Sequence, residues 1–185
     1  MGPFGRGLGI REVVAAALVA GLLAAGLWAP LPLAETRIHT SVVIRRPAAE
    51  VFDYVTTPAN WPSWHPSSVA VSGATDHPLQ VGEQTTEDFL VAGRRGQAHW
   101  SVTLREVPRR WTIEGTIRGR RAGVVSYVLT PGRQGTLFER EFSYSVPNLL
   151  FWLLNRLTIQ RQVEEESEQA VRKLKQVLEA GAGQV

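Results

Sequence analysis

The sequence contains no cysteine. Disulfides, thiolate metal sites and a cysteine nucleophile are therefore excluded, while the compartment stays open, because a cysteine-free chain is at ease on either side of a membrane. Net charge is also scarce: 20 Lys and Arg against 17 Asp and Glu leave +3, too small a balance to suggest nucleic acid as a partner. The four histidines, His39, His65, His77 and His99, show no ligand spacing, so no metal site is expected. No serine stands in a nucleophile elbow. "GRGLG" near the N-terminus has no strand before it and so makes no phosphate loop, and nothing else in the chain asks for a cofactor. Internal repeats and low-complexity tracts are missing as well.

What is present is a chain of 185 residues, 44% hydrophobic and 20% charged, enough for one folded domain with a core of its own. From Val13 to Ala34 it carries no charge, and Arg6 and Arg11 precede the run, in the layout of a signal peptide or signal anchor. The run has no polar face, which argues against a buried core helix. Leu27, Trp28 and Pro32 spoil the small-residue cleavage windows, so a retained single-helix anchor is favoured over a cleaved signal. Arg37, Arg45 and Arg46 follow the run, and the positive-inside rule does not orient it; the globular part is expected outside the cytoplasm. The expected organisation is a membrane segment over residues 1–35, a folded domain over 36–181 and a tail over 182–185.

After Glu35 the pattern alternates. Ile38, Thr40, Val42 and Ile44 share one face of a strand, and Pro47 opens a short helix with Val51, Phe52 and Val55 on one side. "ANWPSWHPSS" follows, with no strand or helix period yet two indoles, Trp61 and Trp64. Side chains that large are costly in water, so the segment should lie over something apolar. Six more strands are predicted from Ser67 to Val146, separated by "HPLQVG", "GRRG", "VPRR", "RGRR" and "PGRQG", each supplying Gly or Pro for a reversal. A helix from about Asn148 to Ala180 ends the domain. Its inward row reads Leu149, Leu153, Arg156, Gln160, Val163, Ser167, Ala170, Leu174, Val177: apolar at both ends, polar or small in the middle. Such a middle fits either a solvated stretch beside a curving sheet or a helix lying across a cavity.

"VVIRRPAAEVFDYVTTPANWPSWHPSS", "VGEQTTEDF", "WSVTLREVPRRWTIEG", "GTLFEREFSYSVP" and "AVRKLKQVLEA" resemble the polyketide cyclase/dehydrase and lipid-transport family of the START and birch-pollen-allergen superfamily. The resemblance spans Ile38 to about Ala180. It implies an α+β helix-grip fold, with a curved antiparallel sheet of about seven strands holding the long C-terminal helix over a hydrophobic cavity. Trp61 and Trp64 would then wall that cavity.

One polar feature stands out in the last strand. Phe138, Arg140, Phe142 and Tyr144 have the same parity, so burying the aromatics buries Arg140 too, unless it snorkels at the rim. A buried guanidinium needs a partner, and Glu87, on the same face as Phe89, or an acidic group of a ligand could serve. His65 could act as an acid or base, or could do nothing chemical. Together with Trp100, Tyr127, Gln160, Val163 and Ser167, these residues are the expected cavity lining.

Alternate turns of an antiparallel meander lie at one end, so Arg94 and Arg95 should meet Arg118, Arg120 and Arg121 there, beside Phe151 and Trp152. These arginines are either hairpin-tip solubilisers or a membrane-facing rim around the cavity mouth. The expected function is membrane-anchored binding or transport of a lipid or other hydrophobic small molecule, with no nucleic acid partner. The alternative is a cyclase/dehydratase-type enzyme on a polyketide-like or isoprenoid substrate, using Arg140, Glu87, His65 or Tyr127.

Overall fold

The computed structural model describes residues 10–29, 35–91, 93–146 and 148–180. An N-terminal helix α1 (Ile10–Trp28) precedes strand β1 (Thr36–Ile44), helix α2 (Ala48–Thr56), a 3₁₀ turn (Pro58–Asn60) and the single-turn helix α3 (Trp61–Trp64). Six strands follow: β2 (Ser68–Gly73), β3 (Gln84–Val91), β4 (Arg94–Glu106), β5 (Arg110–Ile117), β6 (Arg120–Gly132) and β7 (Gly135–Tyr144). The chain ends with α4 (Leu149–Leu154), a π-helical turn (Asn155–Ile159) and α5 (Gln160–Ala180).

The seven strands form one antiparallel sheet in the order β1-β7-β6-β5-β4-β3-β2. Neighbours in sequence pair as hairpins, and the exception, β1 on β7, is closed by Thr36 opposite Tyr144 and Ile44 opposite Thr136. The alternation in β1 resolves as expected, with Ile38, Thr40 and Ile44 buried and Arg37, His39 and Ser41 outside. On β5 and β6 the inward residues include Trp111 and Ile113, and Val125, Tyr127 and Leu129. Against this face α2 buries Val51, Phe52 and Val55, and α5 buries Ser167, Ala170, Val171 and Leu174. This is the α+β helix-grip architecture.

The tryptophan-rich segment is where the layers meet. Pro58 and Pro62 allow only the 3₁₀ turn and one α turn, which places both indoles inward. The Trp61 indole donates to the Val55 carbonyl at 3.0 Å and sits edge-on to Trp111, while Trp64 meets Tyr127 and Phe138 edge-on. A single buried indole of this kind removes on the order of 150–250 Å² from water.

α1 is long and apolar enough to cross a bilayer and buries none of its residues. Among the described residues the core cluster runs from Ile44 to Leu174 and takes in none of α1. The expected tail, 182–185, lies outside the described residues, as do residues 30–34 of the apolar run.

Three strand ends lie together at one end of the sheet: the β3–β4 turn, the β5–β6 turn, and the paired start of β1 and finish of β7. The β5–β6 connection is a two-residue turn with Arg118 and Gly119 both at positive φ, the conformation that suits a twisted hairpin. Arg118 is therefore the one turn residue among the five arginines. Arg94, Arg95, Arg120 and Arg121 belong to the strands on either side, although their end of the sheet is as expected. The β4–β5 turn with Arg109 lies at the opposite end.

Candidate functional site

Between the inner face of the sheet, α3 and α5 lies an apolar pocket of about 280 Å³. Small-molecule sites usually measure roughly 300–1,000 Å³, so this one suits a compact ligand. Its floor is aromatic and flat for a physical reason. Trp100 lies over Gly115, where an added Cβ would come within 2.6 Å of the indole, and Phe89 lies over Gly96 in the same manner. With no Cβ beneath them the rings lie down on neighbouring strands and leave the space above open.

One polar cluster interrupts this lining. Arg140, carried inward by the parity of β7, is only 5% exposed, which excludes the snorkelling alternative. Its guanidinium donates to Ser167 Oγ at 3.2 Å and to His65 Nε2 at 3.1 Å, and it lies over the Phe142 ring. Arg140 Nε finds no partner. Accepting that hydrogen bond at Nε2 requires His65 to carry its proton on Nδ1, which is buried and also without a partner. Burial first, then the Arg140 charge, hold the His65 pKa well below its usual value, so the ring is neutral.

Glu87 is not the direct partner of Arg140 that the sequence suggested. Its Oε2 accepts the Trp100 indole N–H at 2.8 Å. Burial pushes its pKa up, against the pull of the Ser68 hydroxyl, the Trp100 N–H and Arg140. Tyr127 is pushed up to about 12, chiefly by burial, and stays a neutral phenol. A second carboxyl at the rim, Glu166, accepts the Ser67 hydroxyl at 2.6 Å.

The pocket brings together Trp61, Trp64, His65, Glu87, Phe89, Trp100, Tyr127, Arg140, Phe142, Tyr144, Val163 and Ser167. Two expected lining residues stand elsewhere. Phe138 is fully buried behind the wall, packed on Trp64 and Tyr127, and Gln160 turns aside to donate to Glu164. Ala170 also lies in the core rather than at the pocket. Ile113 and Val125 line it without having been singled out, though their parity with Trp111 and Tyr127 carries the signal. Ser67 and Glu166 have no such signal, because their meeting joins residues 99 positions apart.

Beside the pocket, at the end of the sheet carrying the arginines, α4 and the π turn present an apolar surface. Phe151, Leu153, Leu154 and Leu157 are exposed, Leu157 at 75%, and Trp28 at the end of α1 packs edge-on against Phe151 with centroids 6.4 Å apart. Asn155 anchors this segment: it is buried, accepts the Tyr144 hydroxyl at 2.7 Å and donates to Thr36 Oγ1 at 3.2 Å. Among the described residues no group of His, Asp or Glu could hold a metal ion.

The neutral His65 gives the domain an acid sensitivity. In the unfolded chain the ring takes up its proton near pH 6.5, and in the folded chain only well below that, so the unfolded state binds more protons as pH falls and stability drops. The slope below pH 6.5 reaches about 1.4 kcal/mol per pH unit for one proton. Urea unfolding at a series of pH values is expected to show this slope in the wild type, and a smaller one in His65→Gln.

The family described as "Polyketide cyclase / dehydrase and lipid transport" matches residues 35–179. Among curated proteins, "Penitrem biosynthesis cluster 1 protein I" of Penicillium ochrochloron is 38% identical over 72 residues, which are 38% of this chain and 47% of that protein. The chain thus aligns with about half the length of that relative. Among solved structures, TTHA0849 from Thermus thermophilus superposes with a TM-score of 0.63 at 14% identity, covering 80% of this chain and 99% of that one. DynU16, described as a putative protein in the dynemicin biosynthetic locus, gives 0.58 at 21% identity over 78% of this chain and 48% of its own. At such identities the structures share the fold.

Proposed function

The chain belongs to the polyketide cyclase/dehydrase and lipid-transport family, and from that premise we propose that it is a membrane-anchored protein that binds a lipid or other hydrophobic small molecule in the pocket under α5. The observation that carries this is the pocket itself, walled by aromatics and interrupted at one place by a buried cation. Such a site suits a ligand that is mostly apolar and is oriented by one polar group.

The anchor supports the membrane part of the proposal. Fully extended, the chain from Trp28 to Thr36 spans at most about 29 Å, so α1 in a bilayer keeps the arginine-bearing end of the sheet close to the headgroups. That same end carries the exposed leucines of α4 and the π turn. Arg can bind lipid phosphates there and apolar side chains can enter the interface, so the ligand would pass between bilayer and pocket without crossing much water. The domain lies outside the cytoplasm in this proposal, which protease accessibility on intact cells can check.

His65, Tyr127, Glu87 and Arg140 also favour a second reading, because a neutral imidazole, a phenol and a buried cation beside an apolar space could carry out proton transfers on a polyketide-like or isoprenoid substrate. One preparation separates the two. Full-length protein is expected to stay in carbonate-washed membranes and to release a hydrophobic molecule, in about equimolar amount, into an organic extract read by mass spectrometry. A shortened chain in the supernatant would contradict the anchor, and an empty pocket that turns over such a substrate would favour the enzyme.

A further inference from the structure

The pocket holds a buried cation that makes no ion pair among the described residues. Arg140 lines it, and the partners of its guanidinium, Ser167 Oγ, neutral His65 and the Tyr127 phenol, are all uncharged. Two carboxyls border the space and both are engaged elsewhere, Glu87 by the Trp100 indole and Glu166 by the Ser67 hydroxyl. Neither forms an ion pair with Arg140 among the described residues. Two N–H donors in this cluster, Arg140 Nε and His65 Nδ1, are buried without a partner. Buried polar groups in folded proteins are almost always satisfied, and a lone buried cation is costlier still. A buried guanidinium with no ion pair on the wall of an apolar pocket is the feature of a site that takes an anionic acceptor.

We infer that the ligand is an amphiphile with a carboxylate head, seated on Arg140 with its apolar body over Phe89, Trp100 and Phe142. A monoanion suits a single guanidinium, and the planar carboxylate matches its fork. The size agrees. The pocket, about 280 Å³, lies just under the roughly 300–1,000 Å³ usual for small-molecule sites, which suits a single acyl chain rather than a two-chain phospholipid. This inference rests on the ligand-binding function proposed above and goes further by naming the head group.

The test compares decanoate, decanol and methyl decanoate, at about pH 8, on the full-length chain in nanodiscs of neutral lipid, with empty nanodiscs as the blank. Decanoate is expected to bind at least tenfold more tightly than either uncharged analogue. Arg140→Met should lose that preference while still binding decanol, and Arg140→Lys should retain part of it. Equal binding of the three probes by the wild type would overturn the carboxylate assignment and leave an apolar ligand site standing. So would an acid preference that survives in Arg140→Met. If no probe binds above the blank, the assignment and the ligand-binding function fail together. Should Arg140→Met not fold, the wild-type comparison of acid with alcohol and ester still decides.

Discussion

Replacing Arg94, Arg95, Arg118, Arg120 and Arg121 with serine in the domain from Glu35 onward should weaken its binding to anionic vesicles by about a hundredfold or more at low salt. Each basic residue near an anionic surface is worth about 1 kcal/mol, so four or five acting together exceed that factor even if some contribute little. Arg121 is expected to contribute least, because its guanidinium already lies 4.0 Å from Glu114. Removing α1 is what makes the measurement possible, and it leaves the core untouched, since α1 buries none of its residues. Neutral vesicles should bind weakly at every salt concentration.

Salt separates the two parts of the surface. At physiological ionic strength the Debye length is about 8 Å, and the arginine contribution should fall accordingly. A remainder should persist, carried by the apolar side chains of α4 and the π turn. The sequence pointed to Phe151 and Trp152 for this role, but the structure makes Leu157 the more exposed side chain and Trp152 half-buried. Leu157→Asp should therefore remove the salt-resistant part. Arg109 and Arg110 at the opposite end of the sheet serve as the control, and their replacement should change binding less than twofold. If that pair matters as much as Arg120 and Arg121, general charge is responsible and no membrane-facing end exists.

The strands were legible because the side-chain period of 2 is short and was seldom interrupted: β5, Arg110–Ile117, falls between the expected turns "VPRR" and "RGRR", and the parity of β7 carries Arg140 inward with Phe138 and Phe142. Parity assigns a face but not a height along the strand. Phe138 and Phe142 are both inward, yet the first is sealed in the core and the second lines the pocket. The long helix was legible from its C-terminal half only. Counting back from Leu174, Ala170, Ser167 and Val163 by ordinary helical spacing reaches Gln160 and Arg156, whereas the residues turned inward are Ile159 and Asn155. The π turn at Asn155–Ile159 accounts for the slip, because one wide turn shifts the phase of every residue before it. Nothing in the local sequence announces that turn. It is held at Asn155, which accepts from the Tyr144 hydroxyl at the end of β7 and donates to Thr36, 119 residues away in the chain. The partners of Arg140 were hidden for the same reason, since His65 and Ser167 reach it from elements 75 and 27 residues away.

The second large effect concerns the pocket. Filling it should abolish ligand binding without unfolding the domain, and the structure selects the position. Ser167 is unsuitable because it holds Arg140, and Ala170 because it lies in the core. Val163 lines the pocket, is half-buried, and makes no side-chain hydrogen bond that would be lost. An indole there would extend into a space of about 280 Å³. In a tightly packed core the same enlargement would instead cost about 1–3 kcal/mol of stability. The most direct measurement is therefore a titration of wild type and Val163→Trp with an apolar fluorescent probe, with urea unfolding of both proteins alongside. A ligand pocket predicts saturable binding by the wild type, at least tenfold weaker binding by Val163→Trp, and unfolding midpoints that nearly coincide. No probe binding by the wild type, together with a Val163→Trp domain destabilised by about 1–3 kcal/mol or more, would mean that α5 covers a filled core and that the proposed ligand site does not exist.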